Sequence, residues 1–436
     1  MSQKPCADAE SLGVVNGMRF FRIRSEKFKT ARTDIFITDP LTAETASANA
    51  LVPSLLKRGC EAYPTSRLLE RRLEDLYGAS FDCQVMKKGE TQVIHLSVAH
   101  VADRYASGGE PLFADSSALL MELLTRPVLA EGIFRQDMFA QERENLLDAI
   151  RSRVNDKIRY ASLRCVEEMC RGEAFSVHAE GSESDAAALD ARQVTVAWEK
   201  LIRTCPAYVY FSGEMPDSDV QSWMDGFASM KRFPAAARTG FVPESDEQRP
   251  VRYVSDVMEV NQGKLCMGLR THVRPDSPDW PALMVYNGIL GGDLHSKLFQ
   301  NVREKASLAY YASSRLERHK GLMFINSGIE AANREKAEAI ILEQLADMRR
   351  GAVTTDEFEA TLRSLDTSFK ATQDSQPGIA EFHFGQHMLG VEESLDTLAE
   401  KVSRVTVADV VRVAGQVVLD TVYFLQPADN ADNTGK

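Results

Sequence analysis

The sequence has no basic excess, no long apolar run and no paired cysteines, and each absence argues against a class of protein. Its formal net charge is −12 over 436 residues, and the acidic surplus is spread along the chain. A nucleic-acid binder would show a basic face, so none is expected here. No stretch approaches the roughly 20 apolar residues of a membrane span, and the opening MSQKPCADAESLG lacks the apolar core of an export signal. The seven cysteines (Cys6, Cys60, Cys83, Cys165, Cys170, Cys205 and Cys266) are scattered, odd in number and never in C-x-x-C spacing. Reduced thiols in a cytoplasmic protein are the expectation, with Cys165 and Cys170 as buried structural residues. No G-x-S-x-G makes a nucleophile of Ser54 or any other serine. No Gly-Lys-Ser/Thr turns Gly291-Gly292 into a phosphate loop.

What is present is an ordinary globular composition, 44% hydrophobic and 26% charged, in a chain too long for one core. Its most organised stretch is Leu290 to Tyr311, LGGDLHSKLFQNVREKASLAYY. Two glycines mark a sharp turn. Leu294, Leu298 and Val302 then repeat at i, i+4, i+8 as the apolar stripe of a helix packed on a sheet. Arg303 and Tyr310 bring a guanidinium and a phenol near the helix end and the next strand, a pair suited to gripping a peptide carbonyl or carboxylate. A plain helix–strand corner with a surface Arg would read the same way from chemistry alone.

Taken in order, Gly17 to Thr38 alternates as two strands joined near Lys27, the edge and second strand of a sheet. A helix capped by Thr42 runs to about Lys57; Pro53 inside it is tolerable only with a kink or near the first turn. A helix over Ser66 to Tyr77 and a hairpin over Ala79 to Val98, turning near Gly89, come next. Ser116 to Leu129, Phe134 to Arg153 and Tyr160 to Arg171 are helical patterns, and Phe175 to Leu189 reads as a loop. Val194-Thr195-Val196 opens a helix, Ala207 to Gly213 is a buried strand, and Asp217 to Met230 is helical. Lys231 to Arg252, with three prolines and little periodicity, is the linker. Beyond it come a strand at Lys264 to Thr271, a helix from Trp280 and the Leu290–Tyr311 element. Strands at Tyr311 to Leu316 and Gly321 to Gly328 are followed by helices over Asn333 to Arg349, Thr355 to Thr372 and Gly378 to Leu389. Val405-Thr406-Val407 opens a last helix before the closing strand, Asp420 to Pro427.

The two halves repeat this order. SRLLERRLEDLYGASFD and HSKLFQNVREKASLAYYASS each precede strands, and each half closes on Val-Thr-Val, a helix and a strand, AYVYFSG or TVYFLQP. The expected fold is α+β: two related domains, each a mainly antiparallel sheet with helices packed on one face. Their expected bounds are 15–231 and 253–427, joined by a linker at 232–252 and followed by a polar, disordered tail at 428–436.

The segment LGGDLHSKLFQNVREKASLAYY resembles the second-domain signature of the pitrilysin, insulinase and mitochondrial processing peptidase family. The duplicated halves, the linker and the length also fit a one-clamshell, or half-clamshell, member, over roughly residues 15 to 427. The resemblance implies a zinc peptidase ancestry, with zinc held by an inverted H-x-x-E-H helix and a glutamate on a later helix. No H-x-x-E-H occurs in this chain. Anchored on Gly59, the motif falls on Ala50, Pro53 and Ser54, and the Glu142-Arg143 pair places the third ligand at Ala149. Asp148, one residue away, would point about 100° off. None of these residues replaces the lost ligands, so no metal and no cofactor are expected. Leu76 to Asp82 followed by Lys87 to Gly89 resembles a bacterial subgroup associated with elongation factor P aminopentanol modification.

The resemblance therefore implies a zinc-free, catalytically silent subunit. It would pair as a heterodimer with a zinc-bearing subunit of the same family and hold peptide through Arg303 and Tyr310. A stand-alone homodimeric peptide-binding or scaffold protein is the alternative. A third reading is a hydrolase with a different metal site, built on His383 and His387 at i, i+4. His95 and His100 have opposite strand parity, which separates them as joint ligands.

Overall fold

The computed structural model describes residues 8–233 and 250–428. The chain opens with β1 (Ala9–Val15), β2 (Met18–Arg24), β3 (Thr30–Pro40), α1 (Ala43–Leu56) and α2 (Ser66–Asp75). The hairpin β4 (Ser80–Lys88) and β5 (Thr91–Val101) follows, then α3 (Leu112–Thr125) and the two-residue strands β6 (Leu129–Ala130) and β7 (Ile133–Phe134). Next come α4 (Gln136–Ser152), α5 (Lys157–Met169), α6 (Glu183–Ala188), α7 (Ala191–Arg203), β8 (Ala207–Gly213) and α8 (Asp217–Ala228). The second half holds β9 (Arg252–Met258), β10 (Gly263–Arg270), α9 (Trp280–Asn287), β11 (Ala309–Glu317) and β12 (Leu322–Ile329). It ends with α10 (Arg334–Arg350), α11 (Thr355–Gln373), α12 (Gln376–Met388), α13 (Leu395–Ser403), α14 (Val407–Ala414) and β13 (Val418–Pro427).

The described residues form two compact units, 8–151 with 177–233 and 372–394, and 152–176 with 250–371 and 395–428. The first sheet is ordered β1-β2-β8-β3-β5-β4 and the second β11-β12-β10-β13-β9. Read from its other edge, the second sheet matches β2-β8-β3-β5-β4 strand for strand. The parallel pair falls in the same place in both, β2 with β8 and β9 with β13. The repeat expected from sequence is thus a repeat of topology.

Helices cover one face of each sheet, as expected, and a single further helix covers the other. In the first unit that helix is α12. Its Ile379, Ala380, Phe384 and Met388 meet Phe21, Ile23, Phe36, Val93, Tyr208 and Tyr210 of the strands. Gln376 at its start donates to the carbonyls of Thr30 (2.9 Å) and Ser212 (3.3 Å), fixing where the helix lands. In the second unit the helix is α5, whose Ala161, Cys165 and Met169 recur at i, i+4, i+8 against Cys266, Phe324 and Tyr423. Gly268 on β10 makes room for it, since a Cβ there would stand 2.6 Å from Met169 Sδ. Arg270 then bonds Asp420 (2.8 Å) and Glu173 (2.9 Å), and buried Lys320 reaches Glu173 at 2.7 Å. Burial alone would raise the Glu173 carboxyl; Lys320 and Arg270 hold it below its ordinary range.

Each unit therefore borrows a helix from the other half of the sequence. A contiguous division at 15–231 and 253–427 places 152–176 and 372–394 with the wrong sheets. Other expectations also change. β2 and β3 are not neighbours, because β8 runs between them, and β1 is the edge strand. The stretch read as a loop over Phe175 to Leu189 contains α6, capped by Ser182. β1, β9 and α13 are not among the elements expected from sequence, although α13 buries Leu395, Leu398 and Val402 at helical spacing. Pro53 stands in the last turn of α1, not the first. Val194-Thr195-Val196 lies inside α7, whereas Thr406 is the N-cap of α14, so the two triplets are not equivalent. The linker core at 234–249 and the tail from 429 lie outside the described residues.

The Leu290–Tyr311 element departs from its expected helix in an instructive way. Gly291 leaves helical geometry (φ −157°, ψ 20°), and a Cβ on it would meet the Ser314 amide at 2.4 Å. Residues 293–296 are turn, and helix resumes only at Lys297, π-helical over Phe299–Lys305. Leu298 and Val302 are fully buried as expected, but Leu294 is 63% exposed. Leu298→Ala should cost about 2–5 kcal/mol in urea unfolding, and Leu294→Ala no more than about 0.5 kcal/mol. Comparable losses in the two variants would restore the three-residue stripe.

Candidate functional site

The site is built at the edge of the second sheet. β11 is an edge strand, and its pairing to β12 slips between Ala309 and Tyr311, so Tyr310 is the bulged residue. A bulge takes one residue out of the ladder and re-aims its side chain, and Tyr310 is accordingly 75% exposed. Tyr311, by contrast, lies against Gly328, where a Cβ would come within 2.6 Å of its ring. The turn into the strand is tight: Ser307 has φ 53°, and the Leu308 amide donates to the Val302 carbonyl at 3.1 Å.

Arg303 sits in the π-helical segment just before this turn. Its guanidinium lies 4.5 Å from the Phe299 ring centroid, a cation–π geometry that holds the side chain. Its Nε is 3.7 Å from Glu304 Oε1. Arg303 and Tyr310, paired on sequence grounds, line one cleft of about 390 Å³. Gln262, Glu304, Glu330 and Asn333 line it with them, beside Ser307, Leu308 and Ala309. No local sequence pattern marks Gln262, Glu330 or Asn333 as part of it. Glu330 follows Ile329, the ladder partner of Ala309, so only the strand register brings it to Tyr310.

The positions assigned to zinc do not suit it. Ala50 and Pro53 are buried and Ser54 half-buried on α1; together they offer no donor beyond one neutral hydroxyl. Ala149 is exposed on α4, and neighbouring Asp148 lies 3.6 Å from Arg151. Glu142 is held by Arg58 at 3.2 Å and by Asn145 at 3.1 Å. Next to Ala50, Asn49 enters a buried network instead: its amide donates to Asp39 (3.0 Å) and Gln92 (2.9 Å), and Lys200 reaches Asp39 at 2.6 Å. Among the described residues no group of three or more His, Cys, Asp or Glu is arranged to hold a metal ion.

His383 and His387 lie between α12 and the first sheet. The His387 ring stacks on Phe21 at 4.1 Å, and its Nδ1 is 2.7 Å from the Tyr210 hydroxyl. His383 is buried, its ring 6.1 Å from that of His387. Burial, then the neighbouring His383 and Arg19, push the His387 pKa down to about 4. On the opposite strand positions, His95 pairs with Asp34 at 2.8 Å and His100 with the Val101 carbonyl at 2.8 Å. The cysteines among the described residues are free and buried. No described helix is long and apolar enough to cross a membrane.

Comparison with known proteins identifies the family. A family model for the peptidase M16 inactive domain matches residues 197–365. The "Probable inactive metalloprotease YmfF" of Bacillus subtilis (strain 168) is 35% identical over 418 residues, covering 95% of this chain and 97% of its own. The "Uncharacterized zinc protease YmxG" of the same organism is 24% identical over 231 residues, covering 50% of this chain and 53% of its own. Among solved structures, a conserved protein from Enterococcus faecalis V583 is similar with a TM-score of 0.90 at 27% identity, covering 98% of this chain and 100% of its own. With a near full-length relative and the family model in agreement, this chain belongs to the peptidase M16 family, as one of its inactive members.

Proposed function

We propose that this protein is a catalytically silent subunit that holds peptide for a zinc-bearing subunit of the same family. The observation that carries the reading is the single cleft shared by Arg303 and Tyr310, at the bulge of an exposed sheet edge. An edge strand offers unpaired backbone groups to an extended peptide, and Arg303 and Tyr310 add donors for a carbonyl or carboxylate. The proteolytic chemistry belongs to the partner, because this chain has no H-x-x-E-H. That Bacillus subtilis holds both a relative named a probable inactive metalloprotease and one named a zinc protease is consistent with such a division of labour. The buried free cysteines fit a cytoplasmic setting.

The test is peptidase activity and metal content, on the chain alone and mixed with a zinc-bearing relative from the same organism. Activity should appear in the mixture and fall about tenfold with Arg303→Ala or Tyr310→Phe, the loss expected for a charge-assisted hydrogen bond. Zinc at one per chain, cleavage without a partner, or a mixture indifferent to both variants would overturn the proposal. Sedimentation of the chain alone separates this from a stand-alone homodimer.

A further inference from the structure

The cleft carries more than the Arg–Tyr pair, and its charge is uneven. Two carboxylates, Glu304 and Glu330, face it against one guanidinium. Glu304 lies beside Arg303 and is partly offset by it. Glu330 differs: its carboxylate accepts a 3.4 Å hydrogen bond from Asn333 Nδ2, and no cation among the described residues pairs with it. The basic residues that directly follow Glu304 and Asn333 of the cleft are engaged elsewhere. Lys305 donates to Asn301 Oδ1 at 3.0 Å, and Arg334 lies over the Phe424 ring at 4.9 Å.

Position gives this carboxylate a use. Glu330 is the residue after Ile329, which pairs with Ala309, so it stands at the end of the ladder next to the bulge that displays Tyr310. A peptide segment seated in the cleft, with one carbonyl held by Arg303 and Tyr310, would bring its neighbouring side chain to Glu330 on the same wall. We infer that Glu330 makes the cleft select peptides with a lysine or arginine adjacent to the anchored residue. This rests on the peptide-binding reading and adds a specificity to it. In a half-open cleft such a pair contributes modestly, so the preference is about fivefold and shrinks with added salt.

The experiment uses the full chain and short fluorescein-labelled peptides identical except for a central Lys, Gln or Glu, with binding followed by anisotropy. The wild type should bind the Lys peptide about fivefold tighter than the Gln peptide, and the Glu peptide most weakly. Glu330→Gln should abolish the preference while leaving the Gln peptide unchanged, and Glu330→Lys should reverse it. Glu330 is exposed, so neither variant disturbs the core. Arg303→Ala should weaken all three peptides alike, which reads the anchor separately from the selector. Equal binding of Lys and Gln peptides to the wild type, or a preference that survives Glu330→Gln, overturns the inference and leaves the anchor standing. Failure of all three peptides to bind overturns the peptide-binding reading itself.

Discussion

Residues 8–233, produced without the rest of the chain, should fail to fold as a stable monomer. In the intact protein α12 covers Phe21, Phe36, Tyr208 and Tyr210 on one face of the first sheet. Phe384 lies parallel to Phe36 at 4.1 Å and edge-on to Tyr208 at 5.4 Å. Without residues 372–394 that aromatic face meets water, and an apolar sheet face of this kind aggregates. The fragment should bind a hydrophobic dye strongly and unfold without a cooperative transition. Appending residues 372–394 through a flexible linker should restore both solubility and cooperativity. In the intact chain Phe384→Ala should remove about 3–5 kcal/mol. The complementary piece, 250–428, loses α5 and with it Glu173, leaving Lys320 buried without that partner. A monomeric 8–233 fragment with the parent's urea midpoint would show that the borrowed helix is dispensable.

Acidification below neutrality should destabilise the protein through His387. Its folded pKa, about 4, lies below its ordinary 6.5, because burial and the nearby His383 and Arg19 disfavour the imidazolium. The unfolded chain therefore binds the proton first. Stability is full above pH 6.5, falls as the pH drops from 6.5 toward 4, and levels off below that. The shift bounds the effect at about 3 kcal/mol, nearer 2 kcal/mol once the half-exposed ring's contact with solvent is allowed for. Carboxylates also titrate near the lower end, so the informative quantity is a difference. The urea midpoint of the wild type should drop more between pH 7 and pH 5 than that of His387→Gln, which keeps a polar side chain beside Tyr210 without titrating. Parallel pH profiles for the two proteins would remove His387 as the cause.

Much of the fold was legible because its signals are local. The alternation of β4 and β5, the unbroken apolar run of β8 and the long amphipathic helices α10 and α11 announce themselves by period alone. β9 escaped because its exposed Tyr253 and Val257 alternate with half-buried positions on an edge strand, which blurs the contrast. Leu294 misled for the opposite reason: its spacing is helical, but the backbone turns through 293–296, where helical spacing places nothing on a common face. The i, i+4 pair His383 and His387 kept its spacing on α12, while what surrounds the two rings is a non-local fact.

The sequence alone determined that this chain is α+β, that its halves repeat, and that Arg303 and Tyr310 stand where a helix meets a strand. Each of these follows from short-range pattern or from a contiguous motif. Tertiary structure decided which sheet each of α5 and α12 covers, that β8 separates β2 from β3, and that a bulge turns Tyr310 outward. It also brought Glu330 to the same cleft as Arg303. The physical reason is that strand register and helix docking join residues far apart in the chain. Local periodicity says which face of a helix is apolar, not which sheet buries it.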